Sequence, residues 1–406
     1  MVETKRLYQQ QETALRRGRT GLAFFIDFTP AYCYDTNHVY VNAGESDRYF
    51  PVADTVTIKD IARLAGVSIG TVDRVLHNRG RVAEATKSRI LGIIRDTGFK
   101  PNLFASNLAQ SRNYRIGVLT PRPDQDSGFW QLPHRGMQTA AEELSAFSLE
   151  LLFHCFDRFS PDSFRTAAEE LLTDTPDGIL LAPILPEPAE EFVRKLPEDL
   201  PLCCFDSDLP EMHKLTYIGQ DPRMSGRLAA KLMRMLVPPE METVIIQAVN
   251  LDDHIRGREE GFRSYYPKDK KPPVLEEVHL DSKDTCFAFL DSLFSRNPAI
   301  GGFFVANASV HRVAEYLSQH GRTDIALIGY DLIPRNREYL ERGIIDFLIS
   351  QRPETQGYLG IQTLFRALNR QPVAEHHVVM PIDILTAENI HYYTTFEPFN
   401  DIREIV

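Results

Sequence analysis

The sequence predicts an α/β protein in two unlike parts, a small all-helical helix-turn-helix head and a two-lobed body built on parallel sheets. Three observations predict it. Apolar residues between 55 and 99 recur at helical spacing in three short runs. From 113 to 393, short apolar runs alternate with amphipathic stretches, the pattern of parallel strands covered by helices. Charge divides the chain in the same place. Residues 56–112 carry ten Lys/Arg and four Asp/Glu, the remainder holds 35 basic and 52 acidic residues, and the whole has a formal charge of -11. A basic arm on an acidic body suits a nucleic-acid binder whose body repels nucleic acid.

Residues 1–54 mix glutamines, arginines, aromatics and glycine without sustained periodicity, and no fold is assigned to them. The stretch from Leu15 to Cys33 loosely imitates an export signal, but Asp27 breaks its apolar run before any small-residue cleavage pattern. The head spans 55–99. Thr57 followed by Asp60 has the form of a capping box, and Ile61, Ala62 and Ala65 share one helical face. Gly66 permits a tight turn, and Ser68 caps a second helix. Val72, Val75 and Leu76 form that helix's apolar face, leaving Ile69, Gly70, Asp73 and Arg74 outward. A third helix starts near Val82, packs through Ile90, Leu91 and Ile94, and stops at Gly98. Residues 100–112 lead to the body. The run GFKPNLFASNLAQ, residues 98–110, is too weakly helical to hold a helix alone in water. It is either a plain linker or a hinge helix that folds when two copies meet on DNA.

In the body, strands are expected at RIGVL, LELLFHC, GILLA, PLCCF, TYIG, TVIIQAV, GGFFVA, IALIGY and IIDFLIS. Helices at 222–236, 285–295, 308–320 and 354–369 lie among them. The length of this region, 113–393, exceeds one comfortable sheet, so two similar lobes with a cleft between them are expected, followed by a tail at 394–406.

Several classes of function are excluded or given low weight. No apolar run approaches the roughly 18 residues of a membrane span. Cys33, Cys155, Cys203, Cys204 and Cys286 are odd in number and lack C-x-x-C spacing, which fits reduced thiols and a cytoplasmic location. No G-x-S-x-G, H-E-x-x-H, phosphate-cradling loop or metal-spaced cluster is present, so no enzyme, cofactor or metal is expected. For DNA, the candidate contacts are Thr57, Ser68, Ile69, Gly70, Thr71, Arg74, Asn78 and Arg79. Ile69 suits a thymine methyl, and Arg74 suits guanine or a phosphate. Ser68 and Thr71 suit phosphates, and Asn78 and Arg79 either touch the backbone or form a solvated run. Gly70 either allows close approach or is a tolerated surface glycine. Leu108 is a candidate wedge for a minor-groove step.

The runs VTIKDIARLAGVSIGTVDRVLH, RVAEATKSRI and GFKPNLFASNLA resemble the DNA-binding head and hinge of the lactose-repressor/galactose-repressor (LacI/GalR) family. The body resembles a type I periplasmic sugar-binding protein, and the likeness covers about residues 56–390. It implies a homodimeric regulator, in most cases a repressor, of carbohydrate-utilisation genes, bound to a near-palindromic double-stranded DNA operator. A small carbohydrate-like effector would sit between the lobes. The alternative is a sugar-binding receptor of a transport system, which predicts an export signal and no basic head. The resemblance puts Ile69, Gly70 and Arg74 on base-reading positions and Leu108 on the intercalating leucine. Asp73 departs from the usual serine there. In the cleft it implies Phe129, Trp130, Asp221, Arg258 of the R-x-x-G-F motif, Asn307, Asp331 and Gln351, with Ala308 in place of a usual aspartate. Asp331 and Arg258 make an acceptor and donor suited to vicinal hydroxyls. Trp130 either stacks on a sugar ring or sits in the core, Asp221 either meets ligand or caps a helix, and His134 is expected on a helix surface.

Overall fold

The computed structural model describes residues 58–76, 82–97, 113–247, 252–266, 273–278, 280, 282–373 and 377–393. The chain forms two compact units, residues 1–103 and 104–406.

The first unit contains α1 (Ile58–Ala65), α2 (Ile69–Leu76) and α3 (Glu84–Thr97). Helix α1 stops because Gly66 takes φ +60°, a left-handed conformation open to glycine without steric cost. The Gly66 amide donates to the Arg63 carbonyl at 3.2 Å and the Val67 amide to the Ala62 carbonyl at 3.0 Å, the two bonds of a Schellman cap. Ser68 then starts α2, its Oγ accepting from the Thr71 amide at 3.2 Å. Ile61, Ala62, Ala65, Val72, Val75 and Ile90 close a small core, with Leu76, Ile93 and Ile94 packed against it. Leu91, expected in that core, is instead 43% exposed. The buried face of α3 runs through 90, 93 and 94, and position 91 is turned about 100° from its neighbour.

The second unit holds twelve described strands: β1 (Tyr114–Pro121), β2 (Leu149–Phe156), β3 (Gly178–Leu181), β4 (Leu202–Phe205), β5 (Thr216–Gly219), β6 (Glu242–Gln247), β7 (Val274–Glu277), β8 (Ile300–Val305), β9 (Ala326–Tyr330), β10 (Phe347–Ser350), β11 (His377–Val379) and β12 (Asp383–Leu385). They form two sheets, ordered β11-β5-β4-β3-β1-β2 and β12-β10-β9-β8-β6-β7. Every pairing is parallel except that of β12 with β10. β3, β4 and β8 are buried along their whole length, as parallel strands covered on both faces must be. The helices are α4 (Gln131–Glu143), α5 (Pro161–Thr173), α6 (Pro186–Val193), α7 (Pro222–Leu236), α8 (Asp253–Ser264), α9 (Lys283–Arg296), α10 (Val310–Gln319), α11 (Pro334–Glu341) and α12 (Pro353–Leu368). Local chemistry sets their starts: Ser160, Asp221 and Ser282 each accept a backbone N–H of the first turn of α5, α7 and α9.

Both sheets have a switch point where the chain leaves to opposite sides, between β1 and β3 and between β6 and β8. Ligands in open α/β sheets bind beyond the carboxyl ends of the strands at such points. The chain passes from one sheet to the other three times, after β5, after β10 and between β11 and β12. Buried Gln220 ties all three passages, its Nε2 donating to the Ser350 carbonyl at 3.1 Å and the Pro381 carbonyl at 2.9 Å.

Candidate functional site

In the head, the start of α2 presents a small polar surface. Ile69 is 44% exposed although it is a large β-branched apolar residue, and Ser68, Gly70 and Arg74 are exposed beside it. Ser68 and Thr71 hydroxyls lie 2.9 Å apart, so the capping oxygen is already engaged. Thr57, Asn78, Arg79 and Leu108 lie outside the described residues, as does the Thr57 half of the expected capping box. Asp60 pairs with Arg63 at 3.1 Å.

In the body, a cavity of about 20 Å³ lies between the sheets, lined on one side by residues after β1, β2 and β4 and on the other by residues after β6, β8, β9 and β10. It holds one or two water-sized molecules, at roughly 10–15 Å³ each. Of the expected effector contacts, Phe129, Trp130, Arg258, Asn307, Asp331 and Gln351 line it. Asp221 does not. Its Oδ1 accepts the Met224 amide at 2.9 Å, so the helix-cap reading is the one the structure bears out. Trp130 is 1% exposed, edge-on to Phe129 and Phe205, with Nε1 donating to Asp126 Oδ2 at 2.7 Å. It is a wall of the cavity anchored in the core, so the two readings of this residue are not exclusive. His134, expected on a helix surface, instead turns inward to bond Thr120 Oγ1 at 2.8 Å, and burial pushes its pKa down to about 4.

Arg258 owes its position to helix packing. A Cβ on Gly226 of α7 would collide with the Arg258 carbonyl, and one on Gly261 of α8 with the Arg223 carbonyl. The two helices therefore touch backbone to backbone. Phe262 stacks on Phe304 with ring centroids 4.4 Å apart, which fixes the rotation of α8. The guanidinium lies 3.8 Å over the Tyr330 ring, and Nη1 donates to the Ala306 carbonyl at 2.9 Å. Its Nε is buried without a partner. Asp331 ends β9 at φ +60°, a backbone state rare outside glycine, with Oδ2 accepting from Gln351 Nε2 at 3.2 Å and Oδ1 unpartnered. Asn336 holds that turn, Nδ2 donating to the carbonyls of Ala308, Tyr330 and Asp331 at 2.8–2.9 Å.

Four further groups belong to this cleft and were not among the sequence candidates: Asp126, Arg158, Asp206 and Asp252. Arg158 follows β2 and is 5% exposed. It binds Asp126 of its own lobe and reaches across to Asp252 of the other lobe at 2.8 Å. Burial works to lower its pKa, but Asp252 and Asp126 hold it above the ordinary arginine value. Asp206 ends β4 at φ +63°, and neither carboxyl oxygen has a hydrogen-bond partner. Burial pushes it up to about 8; Arg258 opposes this, while Asp252, Asp331 and Asp126 add to it. Asp252 and Asp331 are each raised to about 6, chiefly by burial and against the attraction of Arg158 and Arg258 respectively. His254, 3.6 Å from Asp206, bonds Ser207 at 2.8 Å and is held neutral by burial, Arg258 and Arg158. Buried donors and acceptors left open on facing walls suit a ligand that both gives and accepts hydrogen bonds.

For Asp206 and Arg158 the sequence carries a signal: Asp331, implied by the family resemblance, follows an apolar strand, and DSD after LCCF and DRF after LLFHCF have the same form. Asp252 and Asp126 lie farther past their strands, and their pairing through Arg158 emerges only from the fold.

The sequence family described as bacterial regulatory proteins, lacI family, matches residues 57–102, and the periplasmic binding protein domain matches residues 116–372. The ribose operon repressor of Bacillus subtilis is 26% identical over 342 residues, which cover 80% of this chain and 96% of that protein. The sucrose operon repressor of Klebsiella pneumoniae is 34% identical over 154 residues, 37% of this chain, and the chain spans 44% of its length. Among solved structures, a putative LacI transcriptional regulator from Bacteroides fragilis is 31% identical with a TM-score of 0.65, covering 70% of this chain and 100% of that one.

Proposed function

Since the chain belongs to the lacI family of bacterial regulatory proteins, we propose that it represses carbohydrate-utilisation genes until a small sugar-like effector occupies the cleft. The observation that carries this reading is the set of unpartnered buried groups around one cavity, Arg158 Nε, Arg258 Nε, Asp331 Oδ1 and both Asp206 oxygens, in a chain that also bears a helix-turn-helix. The relatives' names, sucrose and ribose operon repressors, support the carbohydrate class. A receptor of a transport system shares the body fold but has no use for the basic head.

In this proposal the protein is a cytoplasmic homodimer without enzymatic activity. One helix-turn-helix makes too few contacts for specificity, so two copies read a near-palindromic operator. Ile69, Gly70 and Arg74 meet base edges, Ser68, Thr71, Thr57, Asn78 and Arg79 position the backbone, and Leu108 wedges the minor groove. The effector takes its hydroxyls to Asp331, Asn307, Gln351 and Arg258, between Phe129 and Trp130. It enters by parting the lobes, because the cavity of about 20 Å³ is smaller than a sugar ring. Binding and DNA release are coupled by about 1–3 kcal/mol, the usual range between two sites.

The test is Arg258→Ala in the full chain. The variant is expected to keep operator affinity and lose the ligand-induced rise in melting temperature that a stabilising ligand gives by mass action. An unchanged ligand response in this variant would remove the cleft from the mechanism.

A further inference from the structure

The proposal of a sugar-like effector leaves its charge open, and sugars, sugar acids and sugar phosphates all carry hydroxyls. The cleft is lined by three carboxylates, Asp126, Asp252 and Asp331, and by Asp206, which burial keeps protonated near neutral pH, against two guanidinium groups, Arg158 and Arg258; no lysine lines it among the described residues. The stretch Ala248–Leu251 just before Asp252 adds no cation to the sequence. The two arginines are engaged to different degrees. Arg158 gives both terminal nitrogens to Asp126 and Asp252, which leaves only its Nε open, and the trio is largely buried, at 5%, 15% and 6% side-chain exposure. Arg258 gives Nη1 to the Ala306 carbonyl and its face to Tyr330, keeping Nε for a ligand. Close by stand Asp206 and Asp331, 3% and 2% exposed; the open Oδ1 of Asp331 suits a hydroxyl donor, and the neutral Asp206 can both give and accept a hydrogen bond.

We infer that the effector is an uncharged polyhydroxylated molecule, and that Asp126 and Asp252 enforce this choice by withholding Arg158 from the ligand. The inference rests on the carbohydrate reading above and narrows it. A phosphate or carboxylate brought to Arg258 would face the buried carboxylates of Asp331 and Asp252, on both of which Arg258 already acts, and like charges juxtaposed in a desolvated site are strongly disfavoured. Asp126 and Asp252 thus act as specificity-determining residues without touching the ligand.

The test measures binding to the full-length protein by titration calorimetry with ribose, arabinose, allose, tagatose, glucose, galactose and sucrose. Ribose 5-phosphate, glucose 6-phosphate and galacturonate serve as anionic counterparts. The expected result is that a neutral sugar binds at least about 100-fold more tightly than its anionic derivative, as a few kilocalories of like-charge repulsion require. Asp252→Asn, and separately Asp126→Asn, should each narrow that ratio at least tenfold, because Arg158 is then released on one side. Two variants guard against one failing to fold, and cooperative thermal unfolding confirms each. An anionic ligand that binds as tightly as its neutral parent overturns the inference while leaving the carbohydrate reading intact. A ratio unmoved in both folded variants overturns the role of Asp126 and Asp252. Binding by none of the probes removes the carbohydrate reading, and this inference with it.

Discussion

Arg158→Leu is the perturbation that bears most directly on how the two lobes hold together. The guanidinium joins Asp126 on one lobe to Asp252 on the other at 2.8 Å, and in the joined form its removal leaves two buried carboxylates facing each other. Stripping a buried charge of its partner costs about 3–5 kcal/mol. Asp252 has an escape through protonation: Arg158 holds its pKa down at about 6, so without the guanidinium protonation at pH 7 costs less than about 1.4 kcal/mol. The joined state should therefore lose up to about 5 kcal/mol relative to a parted one, in which both carboxylates regain water. The equilibrium between lobes moves toward parting. The defect should shrink near pH 5, where Asp252 is already protonated in the joined state. Small-angle scattering of the full chain reads the change as a larger radius of gyration at pH 7 than at pH 5. The double variant Arg158→Leu/Asp252→Leu, which replaces charge by apolar contact, should restore part of the joined form. A radius of gyration in Arg158→Leu equal to that of the parent at pH 7 would refute this reasoning.

Other expectations follow from the same geometry. Gly226→Ala forces a methyl against the Arg258 carbonyl, so melting temperature should fall by the equivalent of about 1–3 kcal/mol and ligand affinity should fall with it; an unchanged melting curve would contradict the close packing of α7 on α8. Asp206 holds a raised pKa of about 8 in the fold against an ordinary value near 3.8, so the folded body keeps a proton that the unfolded chain releases. That contribution is complete below about pH 4 and is lost as pH rises through about 8. Asp206→Asn should therefore unfold at a higher temperature than the parent at pH 8.5 and differ less at pH 5; parallel pH profiles would remove Asp206 from the account. Arg74→Ala should weaken specific operator binding by about 1–3 kcal/mol at fixed salt, and equal affinity would take Arg74 out of the readout.

The sequence revealed the body's alternation because parallel strands buried on both faces are apolar throughout, as in GILL and LCCF. It hid β7, β11 and β12, whose few residues carry mixed burial or stand at sheet edges. The head was readable because Gly66 and Ser68 punctuate it with unambiguous local chemistry. Leu91 lies one helical step off the buried face, and adjacent apolar residues leave the phase of a short helix undetermined in sequence. In the cleft, residues close to strand ends can be placed one at a time, as the family resemblance places Asp331. The Asp126–Arg158–Asp252 trio could not, because its members lie 32 and 94 positions apart in sequence and meet only when two lobes face each other. Asp221 shows the converse: a polar residue before proline at a lobe rim has the same sequence form as a ligand contact, and helix capping claimed it.

The central claim is that occupancy of the cleft is reported to DNA by the head of the same chain. Fluorescence anisotropy of an operator duplex with the full-length protein, at fixed salt and with saturating neutral sugar, measures it. Operator affinity is expected to weaken about 5- to 150-fold with the sugar in the parent and to stay unmoved in Arg258→Ala. Operator affinity equal with and without a sugar that demonstrably binds the cleft would contradict it.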